Sequence, residues 1–332
     1  MPHRTQPTTT CALIGYGYWG RNVAKALHES PHFKLCAIYD DDLGAMSEAA
    51  AHYQLPSPIS YEAILDSEIE VVFIVTPPHT HYALAKRALE RGKHTFVEKP
   101  LTTHYAQAQS LYDLAESSGC VLYCDHIFLH SPAVEYLKAH LHELGEIVYI
   151  NARRINLGLF QSNVDVIWDL AIHDLSIIDY LVGLEICEVS TFAARYQSYP
   201  NDALANINLR LKNGIIITLN LSWLSPIKVR EMMIGGSCKM AIYDETKRDK
   251  ITIFDSGVVV KECLDKPSLY QKLVEYKLGG EFMPKLPQTL ALDNSIAYFA
   301  SLLSSESRQI KGGREHVLRV IRAIEMIQEP RD

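Results

Sequence analysis

At roughly 150 residues per domain, a chain of 332 residues predicts about two domains, and an apolar fraction of 48% supplies two cores and excludes a disordered chain. The 32 Lys and Arg stand against 39 Asp and Glu, a net charge of -7, and the basic residues are scattered, which argues against a nucleic-acid grip. No stretch approaches the roughly 18 to 20 uninterrupted apolar residues of a membrane helix. The first ten residues are polar and hold Pro2 and Pro7, so the chain is expected to be unexported and cytoplasmic. The seven cysteines are dispersed and contain no Cys-x-x-Cys pair, which reads as reduced thiols.

From Cys11 to about Asp125, short apolar runs alternate with longer segments of helical period. Strands are predicted over 12–15, 34–40, 71–76, 95–98 and 121–125, joined by helices over 21–29, 45–52, 82–91 and 105–117. That is the pattern of a doubly wound parallel sheet. After Gly145 the texture changes to long alternating segments over 147–154, 186–197, 203–212, 215–223, 230–234, 240–243 and 251–254, an open and mostly antiparallel sheet. A helix over 168–181 interrupts it. Asn213-Gly214 predicts a type I′ hairpin, whose two central residues both need positive φ. The stretch 265–288, with Gly279-Gly280, Pro284 and Pro287, reads as a long loop. Val317, Val320, Ile321, Ile324 and Ile327 trace the packing stripe of a final helix. The expected domains are 1–126 and 127–332, with a C-terminal helix free to pack back on the first.

Gly15-Tyr-Gly17-Tyr18-Trp19-Gly20 lies between a predicted strand and helix, and Asp40 follows Gly20 by twenty residues at the end of the next strand. At that spacing a carboxylate can accept ribose hydroxyls while Gly17 lets the backbone approach a pyrophosphate and the helix N-terminus faces the phosphates. A dinucleotide is implied. Asp40-Asp41-Asp42 would repel a 2′-phosphate and no Arg stands beside them, so NAD is expected rather than NADP, and FAD is disfavoured.

Hydride transfer from an alcohol needs a group that takes the hydroxyl proton and one that steadies the alkoxide. Glu98-Lys99-Pro100 ends a predicted parallel strand at the edge where ligands gather, although from the residues alone it is equally a surface pair before a turn. Asp169 and His173 are four apart on the interrupting helix and so share a face, where the carboxylate can orient the imidazole or both can be structural. His79, His81, His126 and His130 lack ligand spacing, so no metal is expected. Trp168 beside Asp169 is either a core residue or the floor of a pocket.

Gly15-x-Gly17-x-x-Gly20, Thr76-Pro77-Pro78 followed by His81, Glu98-Lys99-Pro100, and Asp169 with His173 occur in the order and spacing of the glucose-fructose oxidoreductase, inositol dehydrogenase and rhizopine catabolism protein family, which the chain resembles over nearly its whole length. The resemblance implies an N-terminal Rossmann domain, a C-terminal α/β domain whose open sheet makes subunit contacts, and a substrate pocket between them. It implies that Lys99 lies near the nicotinamide ribose and the reacting carbon, with a Lys99-Pro100 peptide that is often cis in the family. His173 becomes the acid-base residue and Asp169 its neighbour. Thr76, Pro77 and His81 match the loop under the cofactor, and Glu98 a carboxylate on the cofactor side.

Where many members have a glycine-rich approach to the catalytic helix, this chain has Asn163-Val-Asp-Val-Ile-Trp168-Asp169-Leu-Ala171-Ile-His173-Asp174. With Cys124-Asp-His126-Ile-Phe128, this is similar to the branch of nucleotide-sugar 3-dehydrogenases acting on a UDP-N-acetylhexosamine, whose ketone passes to an aminotransferase for 3-amino sugar and lipid A synthesis. His126 and Trp168 are then expected to face substrate. A nucleotide sugar brings two phosphates, for which Arg153, Arg154 and Arg195 are candidates. Strand alternation aims Arg153 and Arg154 at opposite faces, so at most one meets substrate, and Arg153 is the one assigned. The alternatives are an inositol or free-sugar dehydrogenase, a deoxysugar 3-ketoreductase, and a non-catalytic NAD sensor. A homodimer or homotetramer is expected from the sheet's open face.

Overall fold

Val71–Ile74 has no polar residue and is buried at every position, as a strand covered on both faces must be. In the computed structural model it is the central strand of a five-stranded sheet. The structure describes residues 8–56, 60–158, 160, 164–260, 274–304 and 310–329. Two units divide the chain, one of residues 1–131 and 289–325, the other of 132–288 and 326–332.

The first unit begins as an alternation: β1 (Thr9–Ile14), α1 (Tyr18–Glu29), β2 (Phe33–Tyr39), α2 (Leu43–Tyr53), a short α3 (Tyr61–Leu65), β3 (Val71–Ile74), α4 (Pro78–Glu90), β4 (His94–Glu98), α5 (Tyr105–Ser117) and β5 (Leu122–Asp125). All strand pairs are parallel and the order is β2-β1-β3-β4-β5. Strand order reverses between β1 and β3, which opens a crevice at their C-terminal ends. The five strands and four long helices match the predicted ones; α3 was not anticipated. Its cap is a Ser60 side chain accepting from the Ala63 N–H.

The second unit contains α6 (Pro132–His140), β6 (Ile147–Leu157), a π-helical turn over Ile167–Ala171 that runs into α7 (Ile172–Val182), and β7 (Ile186–Arg195), β8 (Asp202–Leu211), β9 (Ile216–Ser222), β10 (Leu224–Gly236), β11 (Met240–Asp244) and β12 (Ile251–Phe254). With β13 (Gly257–Val260), β14 (Val274–Lys277) and β15 (Glu281–Phe282) they give an eight-stranded sheet of order β15-β12-β11-β10-β6-β9-β8-β7 and a separate β13-β14 ribbon. Only β6-β9 is parallel within the larger sheet. Part of the stretch read as a loop is therefore strand, at 274–277 and 281–282, while 261–273 lies outside the described residues. Asn163 of the approach motif lies outside them too.

The hairpin at Asn213-Gly214 joins β8 to β9, but its turn is not type I′. Only Gly214 has positive φ, at 89°, and its N–H returns to the Leu211 carbonyl, so a longer turn with one left-handed residue closes the hairpin.

The described chain closes with two helices, α8 (Ala291–Leu303) and α9 (Arg314–Gln328). The first unit runs on to Ser131 and reclaims 289–325. The reason is apolar packing: Ile296, Phe299 and Leu302 of α8 are buried in one cluster with Leu13, Phe33, Phe73 and Phe96, the Phe299 ring lying 5.4 Å from Phe96 and 5.6 Å from Phe73.

Candidate active-site residues on the two units

On the first unit the three glycines have three separate jobs. Gly15 sits at φ 99°, and a Cβ there would lie 2.7 Å from the Val75 carbonyl oxygen. A Cβ on Gly20 would come within 2.2 Å of the Gly15 oxygen, so the helix can start this close to the strand only without one. At Gly17 a Cβ would meet nothing within 4 Å, and the backbone faces open space. A tight turn, a close helix and an open backbone are what a pyrophosphate at a helix N-terminus requires. Gly17 is the N-cap of α1 with no side chain competing for its N–H groups. Tyr18 is exposed, and the half-buried Trp19 donates its indole N–H to Glu98 Oε2 at 3.1 Å.

Asp40 follows β2 and is held by backbone amides: Tyr16 N–H donates to Oδ2 at 2.7 Å and Asp42 N–H to Oδ1 at 2.9 Å. Its carboxylate is thereby fixed beside the glycine turn, with lone pairs left for ribose hydroxyls. Asp42 caps α2, accepting from Gly44 and Ala45, and Asp41 accepts from the Tyr39 hydroxyl. Arg21 is engaged by Glu48, its guanidinium 4.7 Å over the Tyr16 ring. These residues fit an adenine dinucleotide with a free 2′-hydroxyl.

Thr76 and Pro77 form the loop after β3, where the Thr76 and Thr80 hydroxyls are 2.6 Å apart. Lys99 and Glu98 are half-buried at the end of β4, and the Lys99-Pro100 peptide is cis. His81 does not reach solvent at all: it is fully buried, with Nε2 2.7 Å from the Thr76 carbonyl oxygen and Nδ1 2.7 Å from that of Pro100. It ties the loop after β3 to the segment that follows Lys99.

A group that sequence reasoning passed over lies beside Glu98. Asp125, its register partner on β5, is fully buried and accepts from the Ser295 hydroxyl at 2.7 Å. Burial first, and then the neighbouring Asp125, pushes Glu98 up to about 8; burial pushes Asp125 up to about 7. Two adjacent carboxyls in this environment share protons rather than ionise together. His126, at the end of β5, is buried edge-on against His316 of α9, ring centroids 5.1 Å apart.

On the second unit, Asp165 anchors the approach to α7, its Oδ1 accepting from the N–H groups of Ile167 and Trp168 at 3.0 and 2.9 Å. Trp168 is buried, its indole N–H donating to Gln328 Oε1 at 2.8 Å. Asp169 lies in the π-helical turn and His173 in the α-helix, both half-buried. Single-turn π segments recur at functional sites because they re-aim side chains. Asp169 Oδ2 accepts from the indole N–H of Trp223 at 2.9 Å, a partner that no sequence signal marked beyond its place at the end of an alternating run.

The two arginines of β6 lie on opposite faces, and Arg154 is the one on the side of α7. Arg154 is buried and grips Asp174, next to His173, with Nε 3.1 Å from both carboxylate oxygens and a second nitrogen 2.6 Å from Oδ1. Arg153 is exposed on the opposite face, in register with Asn220 and Glu231, so it is not brought to Asp169 and His173. Arg195 is likewise exposed, at the end of β7. Among the described residues no group of three His, Cys, Asp or Glu side chains forms a metal site.

A parallel sheet with a glycine turn, a fixed carboxylate after β2 and a lysine at the end of β4 defines an NAD-binding oxidoreductase domain. The comparisons agree: residues 9–126 match the model of an oxidoreductase family with an NAD-binding Rossmann fold, and residues 142–241 match the GFO/IDH/MocA C-terminal domain. The chain belongs to the glucose-fructose oxidoreductase, inositol dehydrogenase and rhizopine catabolism protein family and is an NAD-dependent oxidoreductase. It is 31% identical to UDP-N-acetylglucosamine 3-dehydrogenase of Acidithiobacillus ferrooxidans over 233 residues, 70% of this chain and 72% of that protein. It is 30% identical to scyllo-inositol 2-dehydrogenase (NAD(+)) of Bacillus subtilis over 190 residues, 54% of this chain and 56% of that one. A solved structure of the Acidithiobacillus enzyme matches with a TM-score of 0.82 at 25% identity over 97% of each chain. A 3-ketoreductase from Actinomadura kijaniata, solved with TDP-benzene and NADP, shares the fold at a TM-score of 0.81 and 20% identity, over 97% of this chain and 98% of that one.

Proposed function

We propose that the protein oxidises a secondary alcohol of a sugar with NAD, and that the substrate is the 3-hydroxyl of a UDP-N-acetylhexosamine. NAD, when bound, supplies the hydride acceptor. His173 takes the hydroxyl proton, Asp169 orients the imidazole or meets the sugar, and Lys99 steadies the alkoxide as the C–H bond breaks. Gly15, Gly17, Tyr18, Trp19, Gly20, Asp40, Thr76, Pro77 and Glu98 hold the cofactor side. The 3-ketone is suited to an aminotransferase that makes a 3-amino sugar. What supports the substrate is the 31% identity to the UDP-N-acetylglucosamine enzyme over 70% of the chain, a span long enough to take in the Asp169 and His173 region. A polyol dehydrogenase is the second reading, favoured by the 30% identity to the inositol enzyme over a shorter span.

The reading includes a homo-oligomer formed through the outward face of the large sheet, where Arg153, Asn206 and Asn208 are exposed; sedimentation equilibrium reads this directly, and a monomer at high concentration contradicts it. The central test is NADH absorbance with NAD and UDP-N-acetylglucosamine, UDP-glucose, inositol or glucose, each repeated with an aminotransferase and glutamate to draw off ketone. Signal is expected with the UDP-amino sugar, and Lys99→Ala and His173→Asn should each lose about 10² to 10⁴ in kcat. Full turnover in both variants, or signal with inositol alone, overturns it.

A further inference from the structure

We infer that Trp223 is a positioning residue for Asp169, aiming the carboxylate through its indole N–H; the inference rests on the reading of Asp169 and His173 as the acid-base pair. In a regular helix, residues four apart share a face. Here Asp169 belongs to the wider π-helical turn and His173 to the α-helix, so helical geometry alone does not set the carboxylate's direction relative to the imidazole. The Trp223 N–H, 2.9 Å from Oδ2, supplies that direction.

Trp223 is itself held on every side. Its N–H donates to the Ala203 carbonyl and its carbonyl accepts from the Gly158 N–H, both at 2.9 Å, at the point where β9 passes into β10. The indole is 1% exposed. Gly158 gives it room: a Cβ there would fall 2.2, 2.5 and 2.8 Å from three of its carbons. A buried Trp needs an acceptor for its N–H, and a backbone carbonyl or a neutral amide serves for that, as Gln328 does for Trp168. Trp223 instead spends its donor on a half-buried carboxylate beside the proposed base. A rigid ring on a fixed backbone, directed at an acidic group, is an arrangement for orientation.

Two measurements test this. In the indole region of the 15N–1H spectrum the three tryptophans of the chain give three signals, and Asp169→Ala should shift the Trp223 signal and speed its hydrogen exchange while leaving Trp19 unmoved. An unshifted Trp223 signal overturns the inference whatever the substrate proves to be, and without any variant of Trp223. In turnover of UDP-N-acetylglucosamine, Trp223→Phe keeps most of the ring and removes the donor. Its kcat should fall about tenfold, equal to about 1.4 kcal/mol, with KM for NAD unchanged. In an Asp169→Ala background the same substitution should cost nothing more. Full multiplication of the two losses means that Trp223 acts through packing, and overturns the inference. If Asp169→Ala leaves turnover intact, it is instead the functional reading of Asp169 that fails.

Discussion

The Nδ1 atom of His81 lies 2.7 Å from the carbonyl oxygen of Pro100, while Nε2 of the same ring lies 2.7 Å from that of Thr76. One buried side chain thus bridges the loop after β3 and the segment carrying Lys99. Burial lowers its pKa, against the pull of the two carbonyls, so the neutral ring with a single N–H is favoured and one of the two contacts is a hydrogen bond at any moment.

His81→Phe keeps an aromatic ring but leaves both carbonyls without a donor. It should destabilise the unit by about 1 to 3 kcal/mol, the penalty for an unsatisfied buried polar group, and weaken NADH binding through the two segments that the ring holds together. Urea unfolding and fluorescence titration with NADH check both parts. Unchanged stability and affinity would show that the ring only fills space.

The sequence motif located His81 without showing that its ring is buried between two carbonyls, because one of them belongs to Pro100, nineteen residues away. Strands and helices of the first unit were legible because each is short, apolar and bounded by its own turn residues. α8 was not: Ile296 and Phe299 acquire meaning only against Phe73 and Phe96, and nothing local says that a helix near residue 300 returns to a sheet closed near residue 125. Trp223 is similar. It ends a readable strand, but its partner Asp169 is 54 residues earlier and the contact depends on the bare Gly158. The choice between Arg153 and Arg154 needed the same information, since alternation separates two faces without saying which one a helix covers.

The Glu98 and Asp125 pair makes stability depend on pH in a direction opposite to that of an ordinary ion-paired carboxylate. Both folded-state pKa values are raised, Glu98 to about 8 by burial and then by Asp125, and Asp125 to about 7 by burial. Below the unfolded carboxylate value of about 4 the two states bind these protons alike, and this contribution to stability is fully present. As pH rises the unfolded chain releases them while the folded chain retains them, so stability falls until the folded groups also ionise near pH 8. Glu98→Gln removes one of the two ionisations. Urea midpoints of the cofactor-free protein at pH 5, 6.5 and 8 should decline less steeply in this variant than in the native chain. Parallel declines would mean that the pair does not titrate as its burial requires.

The proposed preference for NAD over NADP falls to Asp40, and its anchoring makes that assignment testable. Because its two oxygens are held by the Tyr16 and Asp42 amides, the charge cannot swing away from a 2′-phosphate, and Arg21 is engaged by Glu48 rather than free to neutralise it. Loss of a charge-assisted hydrogen bond to ribose costs about 1.5 to 3 kcal/mol, so Asp40→Ala should weaken NAD by roughly ten- to a hundredfold while NADP weakens far less or gains. Asp40→Asn retains one oxygen for the glycine turn and separates charge from architecture: it should recover folding stability without recovering the preference for NAD. Calorimetric titration of both variants with each cofactor gives the ratio directly. An NAD to NADP ratio that stays at the native value in Asp40→Ala, with binding still measurable, would move the discrimination to another group and leave Asp40 as a brace for the turn alone.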